Sequence, residues 1–312
     1  MKTLYIIGNG FDLAHNLHSS YGDFHTWLHE NKQDYFIECM EMFFSHWDID
    51  ANADLLWYDF EKALGDCDFE EAYEIFAKQS REFYGSGTEY LRDLGNTSED
   101  NFSNPLMYDM PMLFSLWIQL VNEKIVNIPK ENLVLKNIEA EDLFLTFNYT
   151  DTLELLYGIP SVNICHIHNS VSAGEQPIVG HNITYTIKVP YEMSKGESDL
   201  KQSLADVLNS LKKDYKGNVK KNITFFNQLD DTVGTICFYG HSLGDIDLPY
   251  FREVKKRVSS NVKWIFYIYS GENDEQLRKN KTAVIDFINR MHLDKHMCKA
   301  FDSINMNQEI HL

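Results

Sequence analysis

The chain has 312 residues, enough for one large α/β domain or two modest ones. With 44% hydrophobic and 24% charged residues it falls among ordinary globular proteins, which excludes disordered and fibrous architectures. Lys and Arg total 28 against 47 Asp and Glu, and the resulting net charge of −19 repels phosphate backbones, so nucleic acid is disfavoured as a partner.

The cysteines, Cys39, Cys67, Cys165, Cys237 and Cys298, are scattered and never form a CxxC pair, which excludes a zinc ribbon by spacing. They read as reduced thiols of a cytoplasmic protein. The N-terminal apolar run meets Gly8-Asn9-Gly10 too soon for a signal peptide, and no stretch has the apolar length of a membrane span.

Residues 3–7 form a continuous apolar run before Gly8, the pattern of a strand buried on both faces. From Ser20 to Asn127 the chain is rich in aromatic residues and Glu, with apolar residues three and four apart, as in Trp57, Phe60, Leu64 and in Phe114, Trp117, Ile118, Val121. This section predicts several helices, punctuated around Tyr84–Gly87 and Pro105–Pro111. Short apolar runs at Leu143–Phe147, Val162–Ile167 and Ile178–Val179 predict strands. A charged helix is expected over Asp199–Leu211, with an exposed loop at Lys212–Gly217. Then follow a strand at Thr235–Tyr239, a helix at Leu248–Val258, a strand at Val262–Tyr269 and a helix at Asp274–Arg290. Strand–helix alternation at both ends around a helical block predicts a parallel sheet with a large insertion.

Four segments carry candidate chemistry. Gly8-Asn9-Gly10-Phe11-Asp12 follows the first strand, where two glycines permit a sharp turn and close approach to a phosphate; a tight turn without ligand is the plainer reading. Thr146-Phe147-Asn148-Tyr149-Thr150-Asp151 ends a buried strand, which aims Asn148 and Asp151 at the crevice beyond the strand ends. Thr150 or Asp151 could equally cap a following helix, with Glu154 completing a capping box. His166-Ile167-His168-Asn169 places two histidines on one strand face, and His181 follows. A metal held by them would want carboxylates, of which Asp151 alone stands at those strand ends, so one acting histidine beside a structural one is preferred. Gly240-His241-Ser242-Leu243-Gly244 matches the GxSxG nucleophile elbow, with Asp286 and His292 or His296 as conceivable partners for Ser242. Against it, Asp245-Ile246-Asp247-Leu248-Pro249 follows where close helix packing wants small residues. Arg290 and His296 show an Arg-x5-His spacing seen in some small ribonucleases, which arises readily by chance among twelve histidines.

Together these segments resemble the AbiH family, bacterial proteins named for abortive infection of phage-infected cells. The resemblance rests on Leu4–Leu13, Tyr21-Gly22-Asp23-Phe24, Trp57-Tyr58-Asp59-Phe60-Glu61, Phe147–Glu154, His166-Ile167-His168 and Gly240–Gly244, in that order. The family tends to carry Gly after the last histidine, where this chain has Asn169. The same order of segments is similar, more distantly, to the sirtuin-like NAD-cleaving domains of other defence proteins. Their GAG-x-S turn, TxN strand end, His-Gly and late G-x-S align with Gly8–Gly10, Thr146–Asn148, His168-Asn169 and Gly240–Ser242. Lacking the four-cysteine zinc module of deacetylating sirtuins, the chain is expected to cleave NAD, not to deacetylate proteins.

The resemblance implies a Rossmann-like (sirtuin-like) α/β domain over residues 1–24 and 136–312, with helices on both faces of the sheet and a helical insertion over 25–135. The insertion would cover the crevice or form an oligomer interface. Asn148 and His168 are the expected catalytic residues; Gly8, Asn9, Gly10, Phe11, Asp12, Asp151, Gly240, His241 and Ser242 are expected to bind NAD, without a metal. Partners would be a nucleotide and a second copy or a defence protein, with no membrane. A metal-dependent nuclease using His166, His168 and His181, a nucleotide sensor without turnover and, last, a serine hydrolase remain as alternatives.

Overall fold

A computed structural model describes residues 1–37, 40, 57, 60–65, 69–70, 73–74, 78, 105–129, 134–188, 195–271 and 273–312. Cys39, Cys67, Tyr58, Asp59 and the Tyr84–Gly87 punctuation lie outside the described residues. The protein is a mixed α/β protein whose contacts divide it into two units: 1–19, 118–175 and 214–312 in one, 20–117 and 176–213 in the other. This grouping differs from a single insertion at 25–135 in that it places 176–213 with residues 20–117. Residues 176–213 group with the helical unit, because the helix Lys195–Ser210 packs against the Pro105–Asp109 turn.

The first unit is built on a seven-stranded sheet in the order β3-β2-β1-β4-β5-β6-β7. The strands are β1 Lys2–Ile7, β2 Leu143–Thr146, β3 Ile164–His166, β4 Val233–Tyr239, β5 Lys263–Ile268, β6 Cys298–Asp302 and β7 Glu309–Ile310. All neighbours are parallel except β6 and β7. The expected strands match β1 to β5, whereas Ile178–Val179 pairs with nothing named and β6 and β7 were not foreseen. β6 reads Cys-Lys-Ala-Phe-Asp, too short and mixed to stand out as a strand without its partner β5.

Alternation along β1 sorts its side chains between two cores. Leu4 and Ile6 join Leu143, Leu145, Ile236, Phe238 and Phe266 beneath Phe251, Val254, Phe287 and Ile288 of the helices Leu248–Arg257 and Asp274–Arg290. Tyr5 and Ile7 join Phe144, Tyr239, Phe11 and Leu153. Burying some thirty apolar side chains at about 1.5–3 kcal/mol each is what offsets the entropy of ordering this sheet. The helix Asp274–Arg290 begins at Asn273, whose side chain accepts from the Gln276 amide, so both its ends fall where the pattern places them.

The second unit buries an aromatic cluster in which Phe24 meets Trp57, Phe114 and Trp117, confirming the three-and-four spacing of those residues. The expected loop at Lys212–Gly217 is corrected. Lys213 is buried in an ion pair with Glu61 at 2.9 Å, and a helix begins at Tyr215 in the first unit, capped by Asp214. Among the described residues no helix is long and apolar enough to cross a membrane.

Candidate functional site

Parallel strands direct the loops after their carboxyl ends to one edge of the sheet, so the segments after β1, β2, β3 and β4 gather there. The first and last of these loops lean directly on each other. The Gly8 amide donates to Tyr239 O at 3.0 Å and the Gly10 amide to Gly240 O at 2.9 Å. A Cβ on Gly8 would stand 2.5 Å from His241 Cα, and one on Gly10 2.7 Å from Gly240 Cα. The glycines are thus required by backbone–backbone approach, and the amides expected to face a pyrophosphate are already engaged. Phe11 is wholly buried against His15, Tyr157 and Tyr239 as a core side chain, and the Asn9 amide oxygen accepts from Ser19.

Asp12 is buried in the centre of the strand ends and accepts from Thr150 Oγ1 at 2.5 Å and Thr152 Oγ1 at 2.7 Å. Burial pushes its carboxyl up to about 6, although the two hydroxyls, Asn148 and the nearby His166 oppose that shift. Asn148 lies beside it, 6% exposed and close enough to Asp12 to oppose that shift, yet neither of its side-chain amide atoms completes a hydrogen bond of good geometry. A buried amide left open in this way forfeits about 1–3 kcal/mol for each unmade bond.

His168 is buried between Phe147, Tyr149 and Tyr250. Its Nε2 lies 3.5 Å from Asp247 Oδ1, and the other carboxylate oxygen, Oδ2, lies 3.4 Å from His241 Nε2. His241 Nδ1 accepts from the Leu243 amide at 2.9 Å, which places the remaining ring proton on Nε2, facing Asp247. Leu243 adopts φ 61°, a conformation costly for a branched side chain, and Arg290 Nη2 donates to its carbonyl at 2.8 Å. Asp247 precedes the helix Leu248–Arg257 but makes no side-chain cap; its carboxylate turns to the two imidazoles instead. Sequence reasoning missed Asp247, treating Asp245–Pro249 only as an argument against a nucleophile elbow. An Asp directly before a Leu-Pro helix start reads as a cap, and no local pattern tells that it spans two histidines.

Asp151 is buried and exchanges two hydrogen bonds with Asn122: its amide donates to Asn122 Oδ1 at 2.9 Å, and Asn122 Nδ2 donates to Oδ2 at 3.0 Å. Ser170 and Ser172 also donate to its carboxylate, and burial holds its pKa above the ordinary range. Neither Thr150 nor Asp151 caps the helix Thr152–Leu155 with its side chain, so the expected capping box is absent. Glu154 instead reaches His166 Nε2 at 2.8 Å. Burial lowers the His166 pKa, but Glu154 outweighs it and the imidazole is held above its usual range.

The histidines considered as one metal set therefore part company. His166 faces Glu154, whereas His168, beyond the end of β3, faces Asp247. His181 belongs to the second unit, and both its ring nitrogens meet backbone groups, Leu208 O and the Ile183 amide. Ser242 is exposed, and among the described residues no imidazole or carboxylate hydrogen-bonds to it; Asp286, His292 and His296 are exposed as well. Arg290 bonds to Leu243 O and Asp245, a structural role. Asn169 has φ 70°, the left-handed conformation that Gly adopts without strain and Asn tolerates, which accounts for the residue standing where the family tends to have Gly.

In this mixed α/β protein a buried amide with uncommitted atoms and an imidazole facing a carboxylate and a second imidazole stand beyond the carboxyl ends of the parallel strands. The chain belongs to the bacteriophage abortive infection AbiH family, whose sequence model matches residues 4–268. Its family role is thus antiphage abortive infection. No curated protein and no solved structure matches the chain significantly.

Proposed function

We propose that this AbiH protein acts in abortive infection by binding NAD at the strand-end site and hydrolysing its nicotinamide–ribose bond. Asn148 is the observation that carries the reading: both of its side-chain amide atoms are buried at a strand end without a hydrogen bond of good geometry. The strand order reverses direction at β1, and ligands of open α/β sheets lie outside the carboxyl ends near such a reversal, which supports the reading.

The chemistry asks little of an acid, because nicotinamide departs neutral from an oxocarbenium-like state. Water must be held and must lose a proton as its oxygen bonds to the ribose carbon. Asn148 can hold a ribose hydroxyl and that water through its amide, contributing by position. In the tautomer with its proton on Nε2, 3.5 Å from Asp247 Oδ1, His168 takes the water proton on Nδ1, and the nearby carboxylate favours the imidazolium that forms. Ser242, exposed on the loop after β4, offers its hydroxyl to the adenosine ribose. The pyrophosphate contact falls to groups other than the Gly8 and Gly10 amides, which are engaged within the protein.

The test is nicotinamide release from NAD by purified protein, followed by chromatography. Wild type should release it, and Asn148→Ala and His168→Ala should each lower the rate by about 100-fold or more. Asp247→Asn, which keeps the shape and removes the charge, should lower the rate and shift its pH profile. NAD binding without release would point to a sensor; neither binding nor release would overturn the reading.

A further inference from the structure

We propose that Asp151, Glu154 and His166 form a binding site for a divalent cation of the zinc type, separate from the His168–Asp247–His241 group. One ligand atom from each of the three residues lies within 4.8 Å of the others, and no other such group occurs among the described residues. The inference does not rest on NAD being the substrate.

The ring of His166 supplies the first argument. Its Nδ1 lies 3.3 Å from Asn148 O, and its Nε2 lies 2.8 Å from Glu154 Oε1, so both nitrogens face oxygen acceptors. A neutral imidazole has one ring proton and can satisfy only one of them. With Nδ1–H on the carbonyl, the orientation metal-bound histidines commonly have, the Nε2 lone pair points at a carboxylate. A cation belongs between them, either a second proton or a metal ion.

Glu154 and Asp151 complete the donor set. Glu154 Oε2 is buried and has no hydrogen-bond partner, which leaves a carboxylate oxygen uncommitted next to the imidazole. Asp151 is buried and anchored by Asn122, Ser170 and Ser172, which orient it as outer groups orient a metal ligand. Its two oxygens offer about four lone-pair positions, so one remains for an ion. Two carboxylates pressed together repel; a dication would neutralise both. One nitrogen and two oxygens suit zinc better than magnesium, which prefers oxygen alone and keeps its water. Donors about 2.0–2.2 Å from zinc stand roughly 3.3–3.5 Å apart, so side-chain rotations within the present spacing close the site.

The sequence carries the signal in part. Asp151 and Glu154 are three apart at a helix start, and His166 ends the neighbouring strand β3. Only the pairing of β2 with β3 brings them together.

Chelator-stripped full-length protein titrated with zinc by calorimetry, with thermal unfolding alongside, tests the site. One equivalent should bind and raise the unfolding temperature. Glu154→Gln, which keeps a hydrogen bond to His166, should weaken binding by more than the ~10–100-fold that outer groups are worth, and His166→Gln likewise. His25 and His29, whose Nε2 atoms lie 3.1 Å apart on an exposed helix face, are the competing surface site. A His25→Gln/His29→Gln variant should retain the equivalent. Zinc binding that survives both Glu154→Gln and His166→Gln, or disappears with the His25/His29 pair, overturns the proposal. So does a stripped wild type that binds no zinc, which leaves a proton as the cation between His166 and Glu154.

Discussion

Asp12 shows how one buried side chain can tie stability to pH. Burial holds its carboxyl at about 6 against an ordinary 3.8, so between those values the folded chain keeps a proton that the unfolded chain has released. The stability this confers is fully present below pH ~4 and is lost as pH rises through ~6, by roughly 3 kcal/mol in all. Asp12→Asn removes the titration. Unfolding free energies of wild type and variant, measured in denaturant at about pH 3.5, 5 and 7, should differ progressively, with wild type losing ~3 kcal/mol relative to the variant across the range. A difference that stays constant would mean that Asp12 has the same protonation in both states. At this scale the sequence exposed Asn148, His168 and Asp12 through their position after strands, but not their partners. Thr150 and Thr152 look like helix-start residues until they are found donating to Asp12 from 138 and 140 positions away.

Loops, as elements, decide where the glycines matter. Gly8 and Gly10 follow β1 as a phosphate loop would, yet the object that approaches them is the backbone after β4. Gly10→Ala places a methyl 2.7 Å from Gly240 Cα, where no side chain can swing aside, and should cost ~1–3 kcal/mol of stability. Gly22→Ala is the contrasting case: in the helix Tyr21–Glu30 its Cβ meets only Ser20 Oγ at 3.7 Å, and the exchange should be neutral or stabilising by up to ~1 kcal/mol. Denaturant unfolding of both variants checks the pair of signs; equal effects would refute the close approach. β1 to β5 and the long helices were legible from apolar runs and caps. β6, β7 and the helix at Tyr215 were not, because short mixed segments owe their structure to neighbours and not to their own pattern.

At the scale of the whole molecule the net charge of −19 sets what the protein meets. Duplex DNA should show no retardation with the protein at about 0.1–0.15 M salt, because the released counterions that drive such binding need a cationic surface. A salt-sensitive complex would reveal a concentrated basic face and revive the nuclease reading.

Composition, the family and the strands β1 to β5 with their long helices were determined by the sequence alone, since each depends on local pattern or on residues in order along the chain. What only the tertiary structure decided is pairing across distance. Parallel strands from positions 2, 143, 164 and 233 must align before Asp247 meets His168 and His241, before Glu154 meets His166, and before Asn148 is buried beside Asp12. Those contacts join elements through sheet register, and register is fixed by the packing of whole faces, which no short stretch of residues contains.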